Sequence, residues 1–269
     1  RPGSRKLREG RMPIHPTALV DASARIAESA DIGPYCVIGA DVEIGAGTRL
    51  MANIFIEGPT WIAEDNIFFP YSTVGVASQD LKYKGERAET RIGSRNRIRE
   101  FVTIHRGTEG GGALTRIDDD NLLMAYTHVA HDVQLGSHCV LANGVTLAGH
   151  VTIGDHAVIG AFSGIHQFCR VGRHSMIGGY SVVTQDVLPF STTVSERVIK
   201  IFGANRNGLE RRGFSPETIE PLQNLFRILT RANLNTSQAI ERIREQVPLT
   251  AEVEEVLAFI AESQRGIVK

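Results

Sequence analysis

The stretch IHPTALVDASARIAESADIGPYCVIGADVEIGAGTRL, residues 14–50, places an aliphatic residue at every sixth position: Ile14, Val20, Ile26, Ile32, Ile38, Ile44 and Leu50. The run continues through Ile56 and Ile62, lapses, and returns at Ile92, Ile98 and Ile104. It lapses again and then repeats without a miss from Ile117 to Val183. A helix repeats near 3.6 residues and a simple strand at 2, so neither explains a period of six. A parallel β-helix of hexapeptide repeats does. Each unit forms one flat side of a triangular coil, and its aliphatic residue points into the axis. Three units of six complete a turn, so residues 18 apart stack on neighbouring coils.

The coils are expected over residues 13–190, with residues 76–91 (VASQDLKYKGERAETR) and the glycine-rich 108–116 (TEGGGALTR) expelled as loops. Solenoids tolerate insertions only where these leave the stack, and such loops commonly build binding sites. Residues 1–12 are basic, polar and outside the register, and read as a disordered extension. Residues 191–269 read as an irregular connector followed by a helical domain. Leu222, Leu225, Phe226 and Leu229 follow helical spacing. Ser215-Pro216, Thr236-Ser237 and Thr250-Ala251 mark three helix starts. Such a domain would cap the open end of the solenoid, where axis residues and strand edges are otherwise bare.

Composition excludes several classes. A net charge of −1 carries no signal for nucleic acid, and no apolar run is long enough for an integral membrane segment. Cys36, Cys139 and Cys169 are odd in number and fall in repeat phase, which reads as reduced packing residues in a cytoplasmic protein.

The chemistry concentrates in His128-Val129-Ala130-His131-Asp132, Gly149-His150 and His166-Gln167-Phe168. Val129 fills the axis, so His131 points outward. Gly149 follows His131 by one coil, with His150 beside it, and position 168 follows 150 in the same way. The three motifs therefore form one strip on the outer wall. Such a strip suits acyl transfer to a hydroxyl. A neutral imidazole takes the hydroxyl proton because histidine titrates near neutral pH. A backbone N–H at Gly149 can stabilise an oxyanion, and Asp132 can orient the ring. No serine or cysteine stands in a triad order, which favours direct attack over an acyl-enzyme. Three outward histidines can also hold zinc, but the neighbouring motifs fit acyl transfer better; no metal or other cofactor is expected. His15, His138, His156 and His174 read as solvated or packing residues.

At this point the chain resembles the UDP-N-acetylglucosamine O-acyltransferase family, acyl-carrier-protein-dependent enzymes that begin lipid A assembly. The resemblance covers residues 13–269. QDLKY (79–83), NRIRE (96–100), TIHRG (103–107), HVAHD (128–132), LAGH (147–150), HQFC (166–169), Gly208-Leu209 and RRGF (211–214) carry it. It implies a left-handed parallel β-helix and a homotrimer with sites between subunits. The implied donor is a (R)-3-hydroxyacyl group on acyl carrier protein, and the implied acceptor is the glucosamine 3-hydroxyl of UDP-N-acetylglucosamine. By the same resemblance His131 is the general base, Asp132 its partner and the Gly149 N–H the oxyanion donor. His128, His150 and His166 bind substrate or shape the site, and Gln79, Asp80 and Lys82 reach the sugar and acyl group across a subunit boundary. Gln167, Asn205, Arg211 and Arg212 serve the nucleotide end, where guanidiniums suit a diphosphate. Gly179 stands at the position that gauges acyl length, and a glycine there leaves the groove open to longer chains. Two departures stand out: residues 191–202 match the family poorly, and Asn207 replaces an acidic residue common near the nucleotide. The related N-acyltransferases usually carry an extra domain before the coils, whereas here the coils begin at Ile14.

Overall fold

The computed structural model describes residues 13–194, 200–231 and 234–268; residues 1–12, and with them the proposed extension, lie outside the described residues. The fold is a left-handed parallel β-helix followed by a small helical domain. Among the described residues the strands form three sheets of nine, eight and ten strands, one on each face of a triangular prism. Most strands are two residues long, because each contributes one outward and one axial side chain before the coil turns. The ladder registers set the coil length: Leu19 pairs with Val37, and His128 with Thr146. The axis is filled by the residues in phase with Ile14 as far as Ile104 and with Ile117 thereafter, nearly all fully buried from Ile32 onward.

The register runs further than the aliphatic pattern indicates. Phe68 and Val74 continue it, on strands Ile67–Phe68 and Thr73–Val76, and both are fully buried. Only after them does the first loop leave the coil. That loop is narrower than residues 76–91, since Val76 belongs to one strand and Glu89–Ile92 to the next. It lengthens the coil offset from 18 to 30 residues, as Asn66 opposite Asn96 records. The second loop raises the offset to 25, as Asn96 opposite Asn121 records, and it closes at strand Leu114–Ile117. In both cases the ends of the expected loops pair into the sheets because their N–H and C=O groups then find ladder partners.

Two further features escape the hexapeptide pattern. Most corner turns beyond the first coil place one residue in the left-handed region, including Asp132, His150 and Phe168 at φ 61°, 62° and 66°. This conformation costs an L-residue roughly 1–2 kcal/mol, and the surrounding ladder holds it in place. Inside one corner runs a buried polar ladder. The Asn66 Oδ1 accepts from the Asn96 N–H, the Asn96 Oδ1 from the Asn121 N–H, and the Asn121 Oδ1 from the Cys139 N–H, at 2.9, 2.9 and 2.7 Å. These amides satisfy backbone donors where the corner interrupts the ladder.

The connector is not irregular where it is described. Ser191–Val194 adds to the ten-stranded sheet beside Met176–Ile177 and pairs antiparallel with Lys200–Ala204. Lys200–Ala204 becomes the edge strand and, among the described residues, leads into four helices: α1 (Arg206–Arg211), α2 (Pro216–Arg231), α3 (Thr236–Gln246) and α4 (Ala251–Glu262). Proline at the first position of α2, an Asn235–Gln238 capping box on α3 and the Thr250 cap on α4 set their starts. Leu222, Leu225 and Phe226 join the same continuous core as the coil axis. Arg173 donates to both oxygens of Glu255 on α4, and the Arg170 guanidinium lies over the Phe259 ring. The three cysteines are free and buried.

Candidate active site

The strip foreseen from the 18-residue offset exists at one corner of the prism. His131 and Asp132 turn the chain from strand His128–Val129 into strand Gln134–Leu135. The His131 Nδ1 lies 2.8 Å from the Asp132 Oδ2, and the aspartate side chain is fully shielded from solvent. Gly149 packs directly over the imidazole. A Cβ built on Gly149 would stand 2.5 Å from the His131 Nε2, so only glycine fits this close approach. Among the described residues its N–H finds no acceptor. His150 meets the His131 ring edge-on at 5.0 Å, stacks on Phe168 at 4.4 Å and holds its Nδ1 3.8 Å from the Asp132 Oδ2. His128 shares a 2.7 Å hydrogen bond with the Thr103 hydroxyl, and buried His105 sits edge-on to it at 4.9 Å.

Burial depresses the pKa of both His128 and His150; the His131 charge adds to this for each, while Asp132 opposes it for His150. The ligand atoms of His131, Asp132 and His150 lie within 4.8 Å of one another. Asp132 already accepts from Thr108 twice and pairs with His131, so the cluster is a hydrogen-bonded network rather than an open ligand set.

The two loops wall the site. Asp80 and Lys82 from the first, Thr108 and Glu109 from the second, and His150 and Phe168 from the coils line one cavity of about 620 Å³. Gln79 is exposed in the same loop outside that lining. His166 and Gln167 lie exposed one coil further along, with the His166 Nδ1 3.1 Å from the Gln167 carbonyl.

The remaining candidates sit elsewhere on the same chain. Asn205, Arg211 and Arg212 line a second cavity of about 1070 Å³ beside the helices. Asn205 donates to the His174 carbonyl and Arg212 to the His156 carbonyl, so both belong to the corner formed by His138, His156 and His174. Gly179 belongs to the third corner, next to Tyr180, with Ala161 beneath it. Within one chain, His131, the pair Asn205 and Arg212, and Gly179 thus occupy three different corners.

Comparison with known proteins fits this architecture. The description Udp N-acetylglucosamine O-acyltransferase, Domain 2, matches residues 186–268, and bacterial transferase hexapeptide repeats match 114–149 and 150–185. Over 256 residues the chain is 47% identical to the acyl-[acyl-carrier-protein]–UDP-N-acetylglucosamine O-acyltransferase of Thermodesulfovibrio yellowstonii, covering 95% of this chain and 99% of that one. The chain belongs to the UDP-N-acetylglucosamine O-acyltransferase family. Among solved members, LpxA of Acinetobacter baumannii is 43% identical with a TM-score of 0.91, covering 96% of this chain and 100% of that one. The UDP-N-acetylglucosamine acyltransferase of Bacteroides fragilis is 40% identical with a TM-score of 0.93, covering 95% and 100%. The protein is therefore an acyltransferase.

Three residues of this acyltransferase's candidate site were not singled out in the sequence: Thr103, Thr108 and Thr115 each bond to His128 or Asp132. Thr115 lies 17 residues before Asp132, which would have marked it, but Thr108 reaches Asp132 across the looped offset of 24. A histidine ladder was missed as well: His138, His156 and His174 stack at 4.7 and 4.5 Å. His174 is pushed down to about 3 and His105 to about 4, by burial first and by neighbouring positive groups second. Between those values and histidine's ordinary pKa of about 6.5, the unfolded chain binds more protons than the fold. This contribution to stability is complete above pH 6.5 and is lost as pH falls toward 4. The melting temperature should therefore drop on acidification from pH 7 to 4. The slope should be shallower in His174→Phe, which keeps the stack; equal slopes would rule His174 out as a source.

Proposed function

We propose that this protein transfers a (R)-3-hydroxyacyl group from acyl carrier protein to the glucosamine 3-hydroxyl of UDP-N-acetylglucosamine, the first step of lipid A biosynthesis. Its membership of the family supports the reaction, and the observation that carries the chemistry is the Asp132–His131 pair lying under Gly149. With its Nδ1–H donated to Asp132, His131 keeps the Nε2 lone pair for the substrate proton. The 3-hydroxyl oxygen attacks the thioester carbonyl as its proton passes to Nε2. The negative charge that develops on the carbonyl oxygen rests on the Gly149 N–H. Collapse of the tetrahedral intermediate breaks the C–S bond, and the imidazolium returns the proton to the leaving thiolate. Asp132 holds the ring in one tautomer and offsets its charge.

His128, His150 and His166 form the wall that receives the sugar and the thioester, and Asp80 and Lys82 offer polar groups in the adjoining cavity. Gln79 and Gln167 stand exposed at its margins. Arg211 and Arg212, with Asn205, form the cradle for the diphosphate and nucleoside end. A homotrimer belongs to this reading. Three groups on three corners of one prism serve a single site when neighbouring subunits bring different corners together. A cytoplasmic location belongs to it as well, in keeping with three free, buried cysteines.

The test is direct. The purified protein, given (R)-3-hydroxyacyl carrier protein and UDP-N-acetylglucosamine, should release free carrier thiol and form the 3-O-acyl sugar nucleotide. Product only with a 3-amino sugar nucleotide would overturn the acceptor, and no product with either would overturn the reaction.

Gly179 makes the reading specific for donor length. A Cβ there stands 3.2 Å from the Ala161 carbonyl, and a longer side chain would extend across the wall at this level. Across a ladder of acyl chain lengths, the wild type should favour longer 3-hydroxyacyl donors. Gly179→Met should shift the preference to shorter ones, and a wild-type preference for the shortest donor would refute the gauge.

A further inference from the structure

The second expelled loop spends its conformation on one residue. Thr108 donates its N–H to the Asp132 Oδ1 at 2.9 Å and its hydroxyl to the Asp132 Oδ2 at 2.6 Å. It precedes the short 3-10 turn Glu109–Gly111 in the capping position, yet its side chain makes no cap bond and goes to Asp132 instead. The loop folds back on it, with the N–H groups of Gly111 and Ala113 donating to the Thr108 carbonyl at 3.0 and 2.8 Å. Gly107 and Gly111 keep the space around the carboxylate clear. A Cβ on either would stand 2.8 and 2.5 Å from the Asp132 Oδ1. From the other side the Asp132 N–H donates to the Thr115 hydroxyl at 2.8 Å. The Asp132 Oδ2 has a rival partner within reach, the His150 Nδ1 at 3.8 Å.

From this geometry we infer that Thr108 is a positioning residue for acyl transfer. By filling one site on each carboxylate oxygen it leaves Asp132 to pair with His131 rather than His150, and so keeps the His131 Nε2 aimed at the acceptor hydroxyl. The inference rests on the reading of His131 as the base. It assigns the second loop a role in orienting the catalytic pair, beyond walling the cavity.

Thr108→Val removes the hydroxyl while keeping the shape and the backbone N–H. A hydrogen bond to a charged group commonly carries a factor of roughly ten to a hundred in an equilibrium. The expected result is therefore a kcat lower by about that factor, with KM for the sugar nucleotide within about twofold. Thr108→Ser, which restores the hydroxyl, should recover most of the rate. A merely structural role would lower the amount of folded enzyme and leave kcat per folded site unchanged. If Thr108→Val folds poorly, Thr108→Ala removes the same hydroxyl with less bulk and decides in its place. Wild-type kcat in the hydroxyl-less variant, while His131→Ala is inactive, would overturn the role of Thr108 and leave the base intact. Activity in His131→Ala would overturn the base, and the role of Thr108 with it.

Discussion

His131→Ala is expected to reduce acyl transfer by about a thousandfold, in the middle of the range that a positioned general base contributes. The alanine leaves the Asp132 carboxylate held by Thr108, so the wall of the site keeps its hydrogen bonds. His131 stands on the outer face of a corner and takes no part in the axial core, so the coils should melt near the wild-type temperature. The measurement is single-turnover transfer from acyl carrier protein at saturating sugar nucleotide, with the melting temperature as a control for folding. KM should change little, because the ring acts on the proton that moves in the transition state. A variant with unimpaired kcat would leave the reaction standing and remove His131 as its base.

Gly149→Ala is expected to lower the rate by about a hundredfold, for a different reason. The glycine φ lies outside the left-handed region, so alanine imposes no backbone penalty. Its Cβ, however, would stand 2.5 Å from the His131 Nε2 and 3.1 Å from the Nδ1. The ring must move by about 1 Å to restore van der Waals contact, and a displacement of that size costs on the order of a hundredfold in rate. Gly164→Ala is the matched control, since a Cβ there meets nothing within 4 Å. The comparison to make is kcat for the two alanine variants. Equal, wild-type values would mean that the His131 ring is not held against Gly149 during turnover.

Much of this site was legible before any coordinates, because a solenoid converts sequence separation into distance. The period of six assigned every axial residue from Ile117 to Val183, and the coil of 18 put Gly149 over His131 and Phe168 over His150. The helix starts at Pro216 and Ala251 followed from local capping chemistry. The aliphatic rule stopped too early at Ile62, because Phe68 fills the axis with an aromatic ring in place of an aliphatic one. The connector looked irregular because its strand Ser191–Val194 obeys a pairing with Lys200–Ala204 and not the hexapeptide register.

By itself, then, the sequence determined the coil, the direction each wall residue points and the meeting of His131, Gly149 and His150, since all three depend on a repeat that local sterics and axial burial enforce. The tertiary structure alone decided how Asp132 is held, which partner His128 takes and how deeply His105 is buried. Each of these depends on the loops that lengthen the offset to 30 and 25 residues, and the path of an expelled loop is not periodic. It also decided that His131, Arg212 and Gly179 stand on three separate corners. The repeat alone says which residues share a wall, but the hairpin and helices that carry Arg211 and Arg212 dock by packing against the last coils.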